Sequence, residues 1–190
     1  MTFAITYMAA GIAICLAMGF VWDHFWSFRA QATADYATER PFFDLKSALG
    51  RTYSANGVIF DYSGRVNIRF SATITGTFTD NGGILDEEFF YDGRPDAERR
   101  QWQIQFTGPT SFTATAADVV GRAKGEVAGN ALRMTYRLRL PERAGGHVLD
   151  VVDWLYLMDD GSIVNRSDMR KFGLRAAELF ATFQPESEAN

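Results

Sequence analysis

The chain has 190 residues, of which 22% are charged, and a formal net charge of -4; this length suffices for one membrane segment and one domain with its own core. Lysine and arginine are scattered among aspartate and glutamate and form no basic stripe, which excludes the usual pattern of a nucleic-acid-binding protein. The single cysteine, Cys15, lies in an apolar stretch, so an intrachain disulfide and a cysteine-based metal site are excluded.

The N-terminal segment carries no charged side chain from Phe3 to Trp22, which matches the roughly 20 residues that a helix needs to cross the hydrocarbon core. Aromatic residues follow directly, at Phe25, Trp26 and Phe28, as they do at membrane interfaces. We therefore expect residues 1–22 to form a transmembrane anchor or a signal segment, with membrane contact through residues 3–22.

Other interpretations of this segment remain open. A cleaved signal peptide would use the small-x-small site at residues 30–32, but no lysine or arginine precedes the apolar run. Lipidation of Cys15 normally requires a small preceding residue, and Ile14 stands there. A buried core helix fits the long uncharged run and its aromatic flank less well.

Residues 23–40 are small and polar without a sustained apolar stripe, and they predict a spacer. From residue 41 onward, turn residues recur at intervals of roughly ten, which is typical of an antiparallel meander and not of βαβ units. The turns are at Ser63-Gly64, Asn81-Gly82-Gly83, Asp92-Gly93, Gly108-Pro109, Gly129-Asn130, Gly145-Gly146 and Asp160-Gly161.

Strict alternation of apolar and polar residues predicts strands with one dry face. The apolar sets are Val66, Ile68, Phe70, Ala72 and Ile74 in one segment, Leu132, Met134, Tyr136, Leu138 and Leu140 in a second, and Trp102, Ile104 and Phe106 in a third. Closing eight or more such strands into a barrel buries every apolar face and removes the exposed edges. We predict an all-β antiparallel barrel over residues 41–185 and a disordered tail at 186–190.

The last apolar segment is ambiguous. Its apolar residues also fit a helical stripe, and the pattern alone favours a helix. These residues are Met169, Phe172, Ala176, Leu179 and Phe183.

Two charged residues fall on apolar faces. Glu87 shares a face with Leu85, Phe89 and Tyr91, and Arg100 shares one with Trp102 on the next strand, so the two charged groups are expected to meet across the hairpin. A buried carboxylate is tolerated when it is paired with a guanidinium. The pair is either architectural or part of a ligand site.

Further polar and aromatic residues are candidates for a ligand site. Turn or capping roles are favoured for Asn130, Asp118 and Asp153, while large aromatic residues of a barrel can fill the core or line a pocket. The candidate ligand-binding residues are Glu87, Tyr91, Arg100, Trp102, Tyr136, Asp153 and Trp154.

The sequence lacks the motifs that are typical of catalytic, metal and nucleotide sites. The two histidines, His24 and His147, are not placed for a catalytic triad or a haem or metal site, and there is no nucleotide-binding fingerprint. A paired-carboxylate hydrolase needs a second inward acid besides Glu87. The sequence therefore favours a binding module over an enzyme, and it predicts no metal, no cofactor and no identified catalytic residue.

Short motifs in order along the chain resemble a family of proteobacterial lipoproteins and membrane-anchored proteins described as a domain of unknown function. The motifs are Leu85-Asp86-Glu87 with Phe89 and Tyr91, Arg100-x-Trp102, Asp118-Val119-Val120-Gly121, Gly129-Asn130-Ala131, Asp153-Trp154-x-Tyr156-Leu157, Asn165-Arg166 and Lys171-Phe172-Gly173.

The resemblance implies a lipocalin-like barrel whose last segment is a strand. It also implies an inner-membrane, single-pass protein with the barrel facing the periplasm, although Arg29 and Arg40 beside the apolar run would by themselves favour the cytoplasm. Relatives are encoded near enzymes that modify membrane fatty acids, which points to lipid handling.

Three functions follow as expectations. The first is a membrane-tethered barrel that binds an apolar small molecule, such as a fatty-acyl chain or lipid, in the cell envelope. The second is an accessory or catalytic component of membrane fatty-acid modification, and the third is a filled-barrel structural or interaction protein. The expected partners are an apolar small molecule or lipid and the membrane, but no nucleic acid; protein partners are left open.

Overall fold

The computed structural model describes residues 2–186. The chain divides into two compact units, Met1–Ala32 and Thr33–Asn190. The first unit contains helix α1, Thr2–Trp26, and a 3₁₀ turn, Phe28–Ala30. Of the predicted tail, only residue 186 is described, and its backbone N–H donates to the Thr52 carbonyl at 2.9 Å; residues 187–190 lie outside the described residues.

The predicted membrane anchor is not supported by the structure. Spanning a bilayer requires a helix of roughly 20 predominantly apolar residues. Within residues 2–186, no helix combines the length and apolar character needed to cross a membrane. The predicted localisation, a single-pass inner-membrane protein with a periplasmic barrel, is contradicted by this finding.

The second unit is a closed antiparallel barrel in which each of the ten described strands pairs with its neighbours in sequence and β1 pairs with β10. The all-β barrel predicted from the alternation is confirmed. The strands are β1, Thr52–Asp61; β2, Val66–Phe78; β3, Gly82–Tyr91; β4, Glu98–Phe106; β5, Ser111–Thr115; β6, Ala123–Ala128; β7, Ala131–Arg139; β8, Val148–Leu157; β9, Ile163–Lys171; and β10, Leu174–Pro185.

The last apolar segment is a β-hairpin, so the helix favoured by its periodicity is wrong and the strand implied by the resemblance is confirmed. The turn between β9 and β10 consists of Phe172 and Gly173, whose φ angles are 53° and 80°. Two consecutive residues with positive φ match the twist of a tight hairpin and cannot continue a helix.

A short helix, α2, Leu45–Leu49, closes one end of the barrel. Asp44 caps it by accepting a hydrogen bond from the Ser47 N–H at 2.9 Å, and Leu45, Ala48 and Leu49 are buried. A Cβ atom at Gly76 would lie 1.8 Å from the Leu49 carbonyl oxygen. Only glycine therefore permits the observed approach of α2 to β2.

The opposite end of the barrel is open. In an antiparallel meander, alternate connections lie at the same end, so the connections β1–β2, β3–β4, β5–β6, β7–β8 and β9–β10 surround the opening. The β7–β8 connection contains a 3₁₀ turn, Glu142–Ala144.

The predicted spacer is partly packed against the outside of the barrel. Its 3₁₀ turn, Thr33–Tyr36, places the Tyr36 ring 5.3 Å from the Trp154 ring and 5.4 Å from the Tyr156 ring, between centroids. Trp154 is fully buried as a result.

Candidate functional site

The barrel interior contains a cavity of about 510 Å³, which is within the range of small-molecule sites. It extends from Leu49 of α2 to Lys171 at the open end. Most of its wall is aliphatic and aromatic, and includes Ile74, Leu85, Ile104, Leu132, Met134, Leu155, Leu179 and Phe183. The interior is therefore not packed solid.

The alternation of the sequence accounts for this wall. On β2, Phe70, Ala72 and Ile74 are buried, whereas Val66, beside the open end, is 45% exposed. On β7, Leu132, Tyr136 and Leu138 are buried. The predicted inward faces are thus confirmed along the enclosed length of the barrel.

Glu87 and Arg100 face each other across the β3–β4 hairpin, as predicted. The closest approach of the two side chains is 3.8 Å, between an Arg100 Nη1 and Glu87 Oε2. The same Glu87 oxygen accepts a hydrogen bond from the Trp102 indole N–H at 3.3 Å. Both charged side chains line the cavity.

Asp118 is the principal partner of Arg100. The Arg100 Nε and Nη2 groups donate to Asp118 Oδ2 at 3.0 and 2.5 Å. The other carboxylate oxygen of Asp118, Oδ1, is buried and has no hydrogen-bond partner among the described residues. The sequence predicts a capping or loop role for Asp118, because the residue lies in the irregular β5–β6 connection, where no alternation indicates the direction of its side chain.

A second polar group surrounds Asp153, which lines the cavity from β8. Its Oδ1 accepts hydrogen bonds from Asn165 Nδ2 at 2.5 Å and from the Ser167 hydroxyl at 2.7 Å. Asn165 and Ser167 are not among the site residues predicted from the sequence, although Asn165 belongs to one of the motifs.

Burial shifts the proton affinity of these groups. Loss of hydration raises the pKa of Glu87 from an ordinary value of 4.5 to about 7; the Arg100 charge opposes this and the Asp153 charge reinforces it. Burial also raises the pKa of Asp153, against the hydrogen bonds from Ser167 and Asn165. The pKa of the Tyr136 hydroxyl is raised well above its usual range, again mainly by burial.

The remaining predicted residues divide between the cavity and the outside of the barrel. Tyr91 lines the cavity near its opening, and Trp102 and Tyr136 contact each other edge to face at 5.3 Å between ring centroids. Trp154 points away from the cavity, toward Tyr36. Six of the seven predicted residues thus line the cavity and Trp154 does not.

The open end is rich in basic side chains. Arg94, Arg139, Arg143 and Lys171 line it. Glu98 lies between two of them, at 2.6 Å from Arg94 and in contact with Arg143. Lys171 contacts the His147 ring nitrogen at 2.8 Å. The opening is therefore positively charged, in contrast to the acidic groups deeper in the cavity.

A gap in the wall of the barrel gives access from the side to Glu87 and Asp118, two of the acidic groups that line the inner cavity. Strands β4 and β5 pair only from Gln103 to Phe106 of β4, and the β5–β6 connection turns away to pair with β7 through Val119. An outer pocket at this gap is lined by Glu87, Arg100 and Asp118, which also line the inner cavity.

Within residues 2–186, no group of three or more histidine, cysteine, aspartate or glutamate side chains is arranged so that it could hold a metal ion.

Comparisons with known proteins identify the fold and a family. A sequence model described as a protein of unknown function, DUF3833, matches residues 23–185. No curated protein matches the sequence. Among solved structures, the S-type phycobiliprotein lyase CPES from Guillardia theta is similar, with a TM-score of 0.54 and 4% identity over 75% of this chain and 91% of that chain. At this identity the likeness shows the fold alone, a lipocalin-like barrel.

Proposed function

For this chain, which belongs to the DUF3833 family of proteins of unknown function, we propose that the barrel binds a small, mostly apolar molecule. The observation that carries the proposal is the cavity of about 510 Å³, closed by α2 and open at the other end. An apolar wall with a small number of polar groups is the usual composition of a small-molecule site.

The shape of the cavity supports a long ligand. Because it runs from Leu49 to Lys171, a molecule with an extended chain, such as a fatty-acyl chain or another lipid, would contact aliphatic side chains over most of its length. Burial of such a chain contributes about 0.8 kcal/mol for each CH₂ group. The polar group of the ligand would lie at the level of Glu87, Arg100 and Asp153.

The filled-barrel alternative is less well supported. It requires the inward aromatic residues to occupy the interior, yet Trp102 and Tyr136 pack against each other at the wall and leave the cavity beside them. The likeness to the phycobiliprotein lyase contributes the fold only, and no activity is transferred from it.

A second candidate function, catalysis on the bound molecule, rests on Glu87. A carboxyl group with a pKa of about 7 in a cavity can act as a general acid or base near neutral pH. The test compares lipid extracts from a deletion strain complemented with the wild-type protein or Glu87→Gln. If the Glu87→Gln protein still binds its ligand but a product disappears, catalysis is supported; identical extracts would reject it.

The binding function is tested by native mass spectrometry of the full chain, purified from its own host and from a heterologous host, followed by lipid extraction. We expect a reproducible bound species of defined mass in the protein from its own host. A chain that is empty from both hosts and takes up neither a fluorescent fatty acid nor the neutral dye Nile red would contradict the proposal.

A further inference from the structure

The polar centre of the cavity has an unequal balance of charge. Among the described residues, this polar centre consists of three carboxyl groups, those of Glu87, Asp118 and Asp153, and one guanidinium, that of Arg100. The other basic groups that line the cavity, such as Arg143 and Lys171, lie toward its open end, where Arg139 and Arg143 also line the outer pocket. The centre therefore carries more negative than positive charge when its acids are ionised.

The same groups have unused capacity to accept hydrogen bonds. Each carboxylate offers about four lone-pair positions. Glu87 receives one hydrogen bond, from Trp102 at 3.3 Å, while its guanidinium neighbour remains at 3.8 Å. Within residues 2–186, Asp118 Oδ1 is buried and no side chain or backbone group donates a hydrogen bond to it. Unpaired buried acceptors are costly, and a donor supplied by a ligand would satisfy them.

From this charge balance and these unpaired oxygens, we infer that the group bound beside Glu87 and Asp118 is a hydrogen-bond donor, either neutral or cationic, such as a hydroxyl, an amide N–H or an amine. The inference rests on the proposed binding function and specifies the ligand class for the same site.

An anionic head group fits the centre poorly. The Arg100 guanidinium already makes two short contacts with Asp118, so a ligand carboxylate or phosphate would compete for it. The anion would also lie beside Glu87 and Asp153, and like charges repel more strongly in a partly buried site than in bulk water. A free fatty-acid carboxylate is therefore the wrong head group for this position.

The test compares three ligands with the same chain: dodecylamine, dodecanol and dodecanoate. Each is titrated at pH 7.5 against the full chain loaded with Nile red, a neutral dye, and dye displacement gives the affinity. We expect dodecylamine to bind at least about ten-fold more tightly than dodecanoate, because one hydrogen bond to a charged group contributes a difference of about this size. The affinity of dodecanol should lie between the other two.

Two variants connect the preference to the site. Glu87→Gln and Asp118→Asn should reduce the amine-to-carboxylate ratio several-fold. Glu88→Gln, on the opposite face of β3 where Glu88 contacts Arg99 at 2.8 Å, should leave the ratio unchanged.

The outcomes separate the two proposals. Dodecanoate binding as tightly as the amine, or a ratio that Glu87→Gln and Asp118→Asn leave unchanged, would overturn the inference about the head group and leave the binding function intact. Failure of the dye and all three ligands to bind would overturn the binding function, and the inference with it.

Discussion

Arg100 contacts Asp118 more closely than it contacts Glu87, its direct partner across the β3–β4 hairpin: the shortest distances are 2.5 Å and 3.8 Å. The ion pair between Arg100 and Asp118 links β4 to the β5–β6 connection. It lies where β4 and β5 no longer share backbone hydrogen bonds. Glu87 is consequently left with incomplete pairing inside the cavity.

Removal of the Arg100 charge should destabilise the barrel. Arg100→Gln leaves Asp118 and Glu87 without a cation, and we expect the free energy of unfolding to fall by about 2–4 kcal/mol. This is somewhat less than the roughly 3–5 kcal/mol for a fully buried pair, because the side chains of Arg100 and Asp118 are 24% and 34% exposed. Urea denaturation measures this change. The matched control is Arg99→Gln, because Arg99 is 81% exposed in its pair with Glu88 and such pairs contribute less than about 1 kcal/mol. Equal losses in the two variants would contradict the account.

The raised pKa of Glu87 predicts a specific dependence of stability on pH. Its folded-state pKa of about 7 lies above the ordinary value of 4.5, so the folded protein holds a proton that the unfolded chain releases. Stability from this group is therefore fully present below pH 4.5 and is lost as the pH rises through 7. Over this window, the free energy of unfolding should fall by a few kcal/mol.

Glu87→Gln provides the control for this prediction, because a glutamine keeps the shape and does not titrate. The decrease between pH 5 and pH 8, measured by urea denaturation, should be smaller in this variant than in the wild type. An identical decrease in the two proteins would show that Glu87 does not titrate in this range.

The sequence predicts the pairing of Glu87 with Arg100 in the polar centre, but it does not predict the position of Asp118. Glu87 and Arg100 follow from alternation and a short hairpin, because register places them opposite each other. Asp118 does not, since its direction depends on an irregular connection that only the folded barrel fixes.

Trp154 illustrates a second limit. Strand β8 is apolar on both faces, with Val151 and Val152 both buried, so alternation cannot separate inside from outside. Tyr36 covers the outer face from a segment that the sequence presents as a polar spacer. The sequence of the β9–β10 hairpin is ambiguous for a related reason, because its apolar residues fit both the period of a strand and the period of a helix.

The outer position of Trp154 predicts a structural role. Tyr36→Ala removes the ring that covers Trp154 and Tyr156, and we expect a loss of about 1–3 kcal/mol in unfolding free energy, less than for a fully buried aromatic residue. The affinity for Nile red should remain unchanged. A large loss of dye affinity in a variant that is still folded would indicate that this outer layer takes part in binding.

The contact between α2 and β2 predicts intolerance at Gly76. Gly76→Ala places a methyl group against the Leu49 carbonyl, so α2 must shift away from the end of the barrel. We expect a lower melting temperature, whereas Ser71→Ala, at an exposed position of the same strand, should change stability by less than about 0.5 kcal/mol. A Gly76→Ala protein as stable as the wild type would show that α2 does not pack tightly against β2.

The central claim, that the barrel interior binds an apolar molecule, is tested most directly by filling the cavity. Leu179 lines the cavity and the next residue, Phe180, is 43% exposed, so Leu179→Trp and Phe180→Trp place the same side chain on opposite faces of β10. The measurement is the binding isotherm of Nile red for each variant, with folding checked by circular dichroism. The account predicts that Leu179→Trp loses at least ten-fold in affinity while Phe180→Trp binds like the wild type; equal binding by both folded variants would contradict it.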